Sequence, residues 1–187
     1  AKTIPYISFR EVAELAYFGA KVLHPKTIRP VIEAGIGLRV CNTFNPSAPG
    51  TWLVNSLAES NSKKPTEIIK AVTLIREINL VTLEGRGMLG VPGVAARTFG
   101  AVADTGTSVP LISQASSEQS ICFALPSYST PKVIQAIEKT FASELERRDI
   151  DRVWATGEVD IITVVGEGLR NTPGVAGIIF NALGEAR

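Results

Sequence analysis

The sequence predicts an α+β chain built around a repeated unit, and three observations carry that prediction. Gly85–Phe99 reads GRGMLGVPGVAARTF, and Gly166–Phe180 reads GEGLRNTPGVAGIIF. Gly85 and Gly166, Pro92 and Pro173, and Phe99 and Phe180 are each 81 residues apart. That spacing exceeds the roughly 20–50 residues of short solenoid repeats and matches a small complete domain. The strand and helix patterns from Ile78 to Thr156 follow the order β-α-β-β-α-β. Residues 1–54 carry a different, α/β pattern, so two kinds of unit share the chain.

In chain order, Ser8 and Glu11 have capping-box spacing. Val12, Leu15, Ala16, Val22 and Leu23 follow at helical intervals. Pro25 ends or kinks that helix. A second helix is expected from Lys26 to Ala34, with Gly35 as its stop. GLRVCNTF and TWLVN read as strands around the turn NPSAPG. AESNSKKPTE is polar and contains proline, which makes residues 55–67 the linker.

From Ile68 the pattern changes. KAVTLIRE and INLVTLEG read as two strands leading into the first glycine turn. A helix from Pro92 to Asp104 carries the stripe Val94, Ala95, Thr98, Phe99 and Val102, and Gly106 closes it. SVPLISQA and QSICFALP are strands around the loop SSEQ. Pro131 opens a helix with Val133, Ile134, Ile137, Phe141 and Leu145 on one face. DRVWAT is the closing strand, and VDIITVVG begins the second copy. This order is the ferredoxin-like split βαβ. The expected layout is 1–54, linker 55–67, one complete repeat at 68–156 that lends a strand to the second, and a partial second repeat at 157–187.

Bulk properties exclude several functions. A hydrophobic fraction of 45% suits a packed core. A formal charge of +1 gives no electrostatic basis for binding nucleic acid or an anionic membrane. No apolar run is long enough to span a bilayer. Cys41 and Cys122 lie in strand-like apolar runs and read as buried reduced thiols of a cytoplasmic protein. His24 is the only histidine and there is no Cys-x-x-Cys pair, so no metal site is expected. The chain begins without Met and stops at Arg187 straight after the second helix, as a piece of a longer polypeptide would.

The glycine turn is G-x-G-x-x-x-x-P-G, without the Gly-Lys-Ser/Thr of a P-loop or the dinucleotide fingerprint. It serves either as a tight strand-to-helix connection or as a cradle of backbone N–H groups for a small carboxylate. Gln114, expected to face a pocket with Ser108, favours the cradle. Its amide can both donate to and accept from an amino-acid head group.

The doubled VPGVAARTF and TPGVAGIIF turns resemble the paired ACT domains of aspartate kinases. ELAYFGAKVLHPKTIRPV followed by IGLRVCNTFNPSAPGTWLV resembles the end of that family's amino-acid-kinase domain. The resemblance covers essentially the whole chain, and FGAKVLHP is its most specific part.

It implies that Lys21 contacts ATP and that Val22 lines the same nucleotide site, with Mg accompanying ATP in the longer enzyme. His24 reads as a structural helix-end residue. The family's N-terminal phosphate-holding motif and its aspartate-binding residues are absent, so no catalytic residue is expected in this fragment and no activity from it alone. The resemblance further implies an effector site for an end-product amino acid. Its turn residues are Met88, Gly90, Gly93, Val94 and Ala95, and its strand residues are Ser108, Val109, Pro110 and Gln114. ISQASSEQSICFALP resembles the threonine-sensitive group, which includes the bifunctional aspartokinase–homoserine dehydrogenases. The neutral Pro110 offers a lysine side chain no partner, so threonine comes first and lysine second. A homodimer through ACT domains is implied. A free-standing ACT module and a purely structural dimerisation module are the alternatives.

Overall fold

The computed structural model describes residues 3–20, 23–55, 67–114 and 119–186. The chain divides into two compact units, Ala1–Leu74 with Ile162–Arg187, and Ile75–Ile161. Among the described residues no helix is long and apolar enough to cross a membrane.

The first unit opens with β1 (Tyr6–Ser8), α1 (Phe9–Tyr17), α2 (Pro25–Glu33), β2 (Leu38–Val40) and β3 (Thr51–Val54). The strands are ordered β1-β3-β2, with β1 parallel and β2 antiparallel to β3. Ile7, Phe9, Val12, Ile28 and Leu53 form the core beneath the helices. The capping box is made in full: Glu11 N–H donates to Ser8 Oγ, and Ser8 N–H donates to the Glu11 carboxylate.

Three expectations here need correction. The first helix does not run on to Leu23; it stops at Tyr17, and Gly19 turns the chain with φ +103°. The strand expected across GLRVCNTF stops at Val40. The Arg39 guanidinium donates to the Pro49 and Ala48 carbonyls and folds the NPSAPG turn back on the strand. Cys41 is therefore exposed, not buried, while Cys122 is half-buried.

His24 caps α2: its Nδ1 accepts from Lys26 N–H and its carbonyl accepts from Thr27 Oγ1. This is the helix-end role expected of it.

KAVTLIRE and INLVTLEG are a single strand, β4 (Ala71–Glu84). The two segments read as separate because the chain kinks between them. Glu77 has φ +59°, and the alternation of exposed and covered residues slips by one at Arg76–Glu77, as a bulge requires.

The second unit continues through α3 (Val94–Asp104), β5 (Leu111–Gln114), β6 (Ser120–Pro126), α4 (Thr130–Thr140), α5 (Ala142–Arg147) and β7 (Arg152–Ala155). Its strands are ordered β5-β6-β4-β7, each pair antiparallel. This is the expected ferredoxin-like sheet. Val81, Leu83, Ile121, Phe123 and Leu125 project from one face against Val102, Val133, Ile137 and Phe141 of the helical side. Phe99 packs edge-on to Phe123 at 5.5 Å.

β8 (Val159–Val165) also pairs with β4, and α6 (Val175–Ala186) follows the second glycine turn. The expected linker falls on residues 55–67, of which 56–66 lie outside the described residues.

Candidate functional site: the glycine turn and the β5 edge

Gly85 leaves β4 against the backbone of another segment. A Cβ built on it would lie 2.5 Å from the Asp149 carbonyl and 2.6 Å from the Ile150 Cα. Gly87 N–H donates to the Asp149 carbonyl, and Arg86 N–H donates to the Asp151 carboxylate at 3.3 Å. The turn is thus fixed to the chain entering β7.

Gly93 is the N-cap of α3, with φ +86° and no side chain to accept from the helix. The helical bonding begins with Arg97 N–H to the Gly93 carbonyl at 3.0 Å. The N–H groups of Val94 and Ala95 therefore have no acceptor inside the helix and carry its positive end. Space is open around the Cα of Gly90 and Gly93. Val94 and Met88 are buried in the core, while Ala95 is half-buried.

Gln114 is paired with Ile121, and Ile121 with Leu83, two residues before Gly85. Residues directly opposite in antiparallel strands share a face, so Gln114 projects on the side of Leu83 and Ile121, the helical side. Two strand spacings separate it from Leu83, about 10 Å. Glu84 lies one residue on, hence on the opposite face, where Arg152 pairs with it and holds its carboxyl below the usual range.

Gln114 and the glycine turn thus share one end of the sheet. Ser108, Val109 and Pro110 precede β5 and lie toward its other end; the strand alone spans about 10 Å at 3.3 Å per residue. Ser108 is exposed, and Val109 and Pro110 are half-buried. Ser108 and Gln114 therefore do not converge on one small pocket within a single chain. β5 is the sheet's edge, all four of its residues are exposed, and Leu111 and Ile112 stand among the exposed apolar side chains. Lys21 and Val22 lie outside the described residues, as does the 115–118 part of the loop after Gln114.

The second turn repeats the first. A Cβ on Gly166 would run into the Ile68 carbonyl, and Gly174 begins α6 with φ +82°. Ile178 N–H donates to the Gly174 carbonyl, as Arg97 N–H does to Gly93. One feature was missed by reading the sequence. The Glu11 carboxylate, read only as a helix cap, also accepts from Lys70 Nζ and from Glu167 N–H, each at 2.8 Å. The pair is deeply buried, with 3% of the Glu11 side chain and 6% of the Lys70 side chain exposed. Burial pushes the Glu11 carboxyl up, but the Lys70 ammonium and the Ser8 and Glu167 N–H donors outweigh it and leave it below the ordinary value.

Comparison with known proteins bears on the fold and the family. The ACT domain family model matches residues 81–141. A bifunctional aspartokinase/homoserine dehydrogenase from Daucus carota is 42% identical over 188 residues, covering all of this chain and 20% of its own length. An aspartate kinase of Clostridium acetobutylicum superposes with a TM-score of 0.80 at 25% identity, over 98% of this chain and 41% of its own. Aspartokinase III of E. coli, in complex with lysine and aspartate, superposes with a TM-score of 0.63 at 32% identity, over 88% of this chain and 34% of its own. The chain spans about a fifth of the length of the curated relatives it matches.

Proposed function

The chain belongs to the aspartate kinase family as a regulatory ACT-containing segment, and from that premise we propose that it senses an end-product amino acid, threonine, for an enzyme that phosphorylates L-aspartate with ATP. The observation that carries the proposal is the convergence of the α3 N-terminus and Gln114 at one end of the sheet. The free N–H groups of Val94 and Ala95 suit a carboxylate. The Gln114 amide suits the rest of the head group. Gly93, with open space where a side chain would stand, lets a ligand approach the backbone.

A second chain completes the site in this proposal. β5 is an open apolar edge, a surface that proteins cover by pairing. A partner's edge would bring the Ser108–Pro110 end of one chain toward the Gln114 end of the other, reuniting groups that a single chain keeps apart. Effector binding then favours one arrangement of the ACT domains, and the kinase responds through the difference in affinity between arrangements.

Lysine is the second reading, supported by the lysine-bound E. coli relative. In the longer enzyme Lys21 and Val22 would face ATP and its Mg, and the fragment alone would be inactive because phosphoryl transfer needs groups positioned together. The test is inhibition of the full-length enzyme by each amino acid. Inhibition by threonine is expected; inhibition by lysine without threonine would overturn the effector assignment. Lys21→Ala should weaken use of ATP, and unchanged kinetics for ATP would remove Lys21 from the nucleotide site.

A further inference from the structure

The two glycine turns differ at one matched pair of positions. In the first repeat, the amide after the opening glycine, Arg86 N–H, finds its acceptor in Asp151 of the same repeat. Asp151 N–H in turn donates to the Glu84 carbonyl at 2.8 Å. In the second repeat, Lys70 N–H donates to the Val165 carbonyl at 2.9 Å, so Lys70 occupies the place of Asp151. A carboxylate has been replaced by an ammonium, and the matching amide, Glu167 N–H, has lost its local acceptor. It donates instead to Glu11, a residue of α1 some 156 positions away.

The replacement is complete in its chemistry. Lys70 supplies the charge that keeps Glu11 ionised in a buried place, and it also donates to the Tyr6 carbonyl at 3.1 Å. Both carboxylate oxygens of Glu11 are used, Oε1 by Glu167 and Oε2 by Ser8 and Lys70. Beside this junction α1 and the turn do not close-pack. Arg10, Glu14, Gly166, Glu167, Leu169 and Arg170 line a hollow of about 420 Å³ between them. The link between helix and turn is therefore polar, specific and concentrated in one side chain.

We infer that Glu11 is a positioning residue that couples the second glycine turn to α1, so that movement of that turn is transmitted to the segment α1 leads into. The first repeat shows that a turn of this kind can satisfy its own amide, so the borrowed acceptor is not required by the local fold. The inference rests on the regulatory function proposed above, because the signal passed would be the effector's.

The test separates coupling from mere satisfaction of an amide. In the full-length enzyme, Glu11→Ala combined with Lys70→Asp returns to the second repeat the acceptor that the first one has, and cuts the link to α1. Glu11→Gln, similar in size but leaving the buried Lys70 ammonium without its counter-charge, serves as the second variant. Both should keep basal kinase activity, and effector affinity by calorimetry should stay within about twofold of wild type. The half-inhibitory effector concentration should rise about tenfold or more, within the usual range of coupling energies. Normal inhibition of the double variant would overturn the inference, because satisfying the amide would then suffice. A loss of inhibition matched by an equal loss of affinity would overturn it too. If no amino acid inhibits the wild type, the regulatory proposal fails and amide exchange decides the coupling. Glu11→Gln should speed exchange in α1 and at 167–170 together, and unchanged exchange in α1 would show no link.

Discussion

Gly166 lies against the carbonyl of Ile68 in the same way that Gly85 lies against that of Asp149. Asp149 and Ile68 are themselves 81 residues apart, but in the reverse sense, with Ile68 preceding rather than following its repeat's opening strand. The closing strand of the second repeat is thus drawn from the chain ahead of the first. The two glycines are required by contact, since both have extended backbones that any residue adopts.

Gly85→Ala and Gly166→Ala should each destabilise by about 1–3 kcal/mol, because the added methyl meets backbone that cannot rotate away. Gly177→Ala, with open space around its Cα inside α6, should be neutral or stabilise by up to about 1 kcal/mol. Urea melts of the three variants check both signs. A harmless Gly166→Ala would remove the argument that Ile68 closes the second repeat.

Much of this was legible in the sequence. The repeat, the capping box and the glycine ends at Gly35 and Gly106 are local signals, and each formed close to where its residues dictate; Pro25, read as the end of the first helix, instead opens α2, because α1 already stops at Tyr17. The edge of β5 and the kink at Glu77 were not legible, because strand order and bulges depend on pairing between distant segments. The Glu11–Lys70–Glu167 junction was hidden for a related reason. Glu11 already had a local role as a cap, and nothing near it in sequence announced a second one. The one available signal was the change of charge between Asp151 and Lys70, visible only after the repeats are aligned across the permuted strand.

His24 offers a test of a structural assignment. Its ring accepts from Lys26 N–H at the start of α2. His24→Ala should cost about 0.5–2 kcal/mol, the range for losing an N-cap, and His24→Asn should recover most of it. Thermal melts of the two variants separate capping from chemistry. A stable His24→Ala variant with lost kinase activity in the full-length enzyme would show that the histidine does more than cap.

The Glu11 junction also sets an acid limit. Its carboxyl titrates lower when folded than when unfolded, so its stabilising contribution is complete above the unfolded value, near pH 4.3 for a free Glu, and is lost as pH falls through the folded value. Lys70 faces it directly, while Arg10, Glu14, Glu167 and Arg170 line the adjoining hollow. The acid limb of a stability–pH curve should therefore flatten in Glu11→Gln. At neutral pH, Lys70→Met should cost about 3–5 kcal/mol, because it strands a buried carboxylate. An unchanged acid limb in Glu11→Gln would mean that other carboxylates control acid unfolding.

Gln114 is where the effector proposal is most exposed. It is on the edge strand, on the helical face, in the row of Leu83 and Ile121 and about 10 Å from the strand that feeds the glycine turn. A ligand held by the Val94 and Ala95 N–H groups would need a group such as this amide to satisfy the far side of its head. Gln114→Ala should leave that side unpaired and cost about 1–3 kcal/mol of binding, roughly tenfold to a hundredfold in affinity. Because the side chain is exposed in a single chain, the loss should grow with dimer occupancy, and calorimetry across a range of protein concentration would show this. Gln114→Glu should bind still more weakly, since its charge would oppose the effector carboxylate. If threonine inhibits the full-length Gln114→Ala enzyme as it does the wild type, Gln114 lies outside the effector site, and the turn between Gly85 and Gly93 is only a close connection from strand to helix.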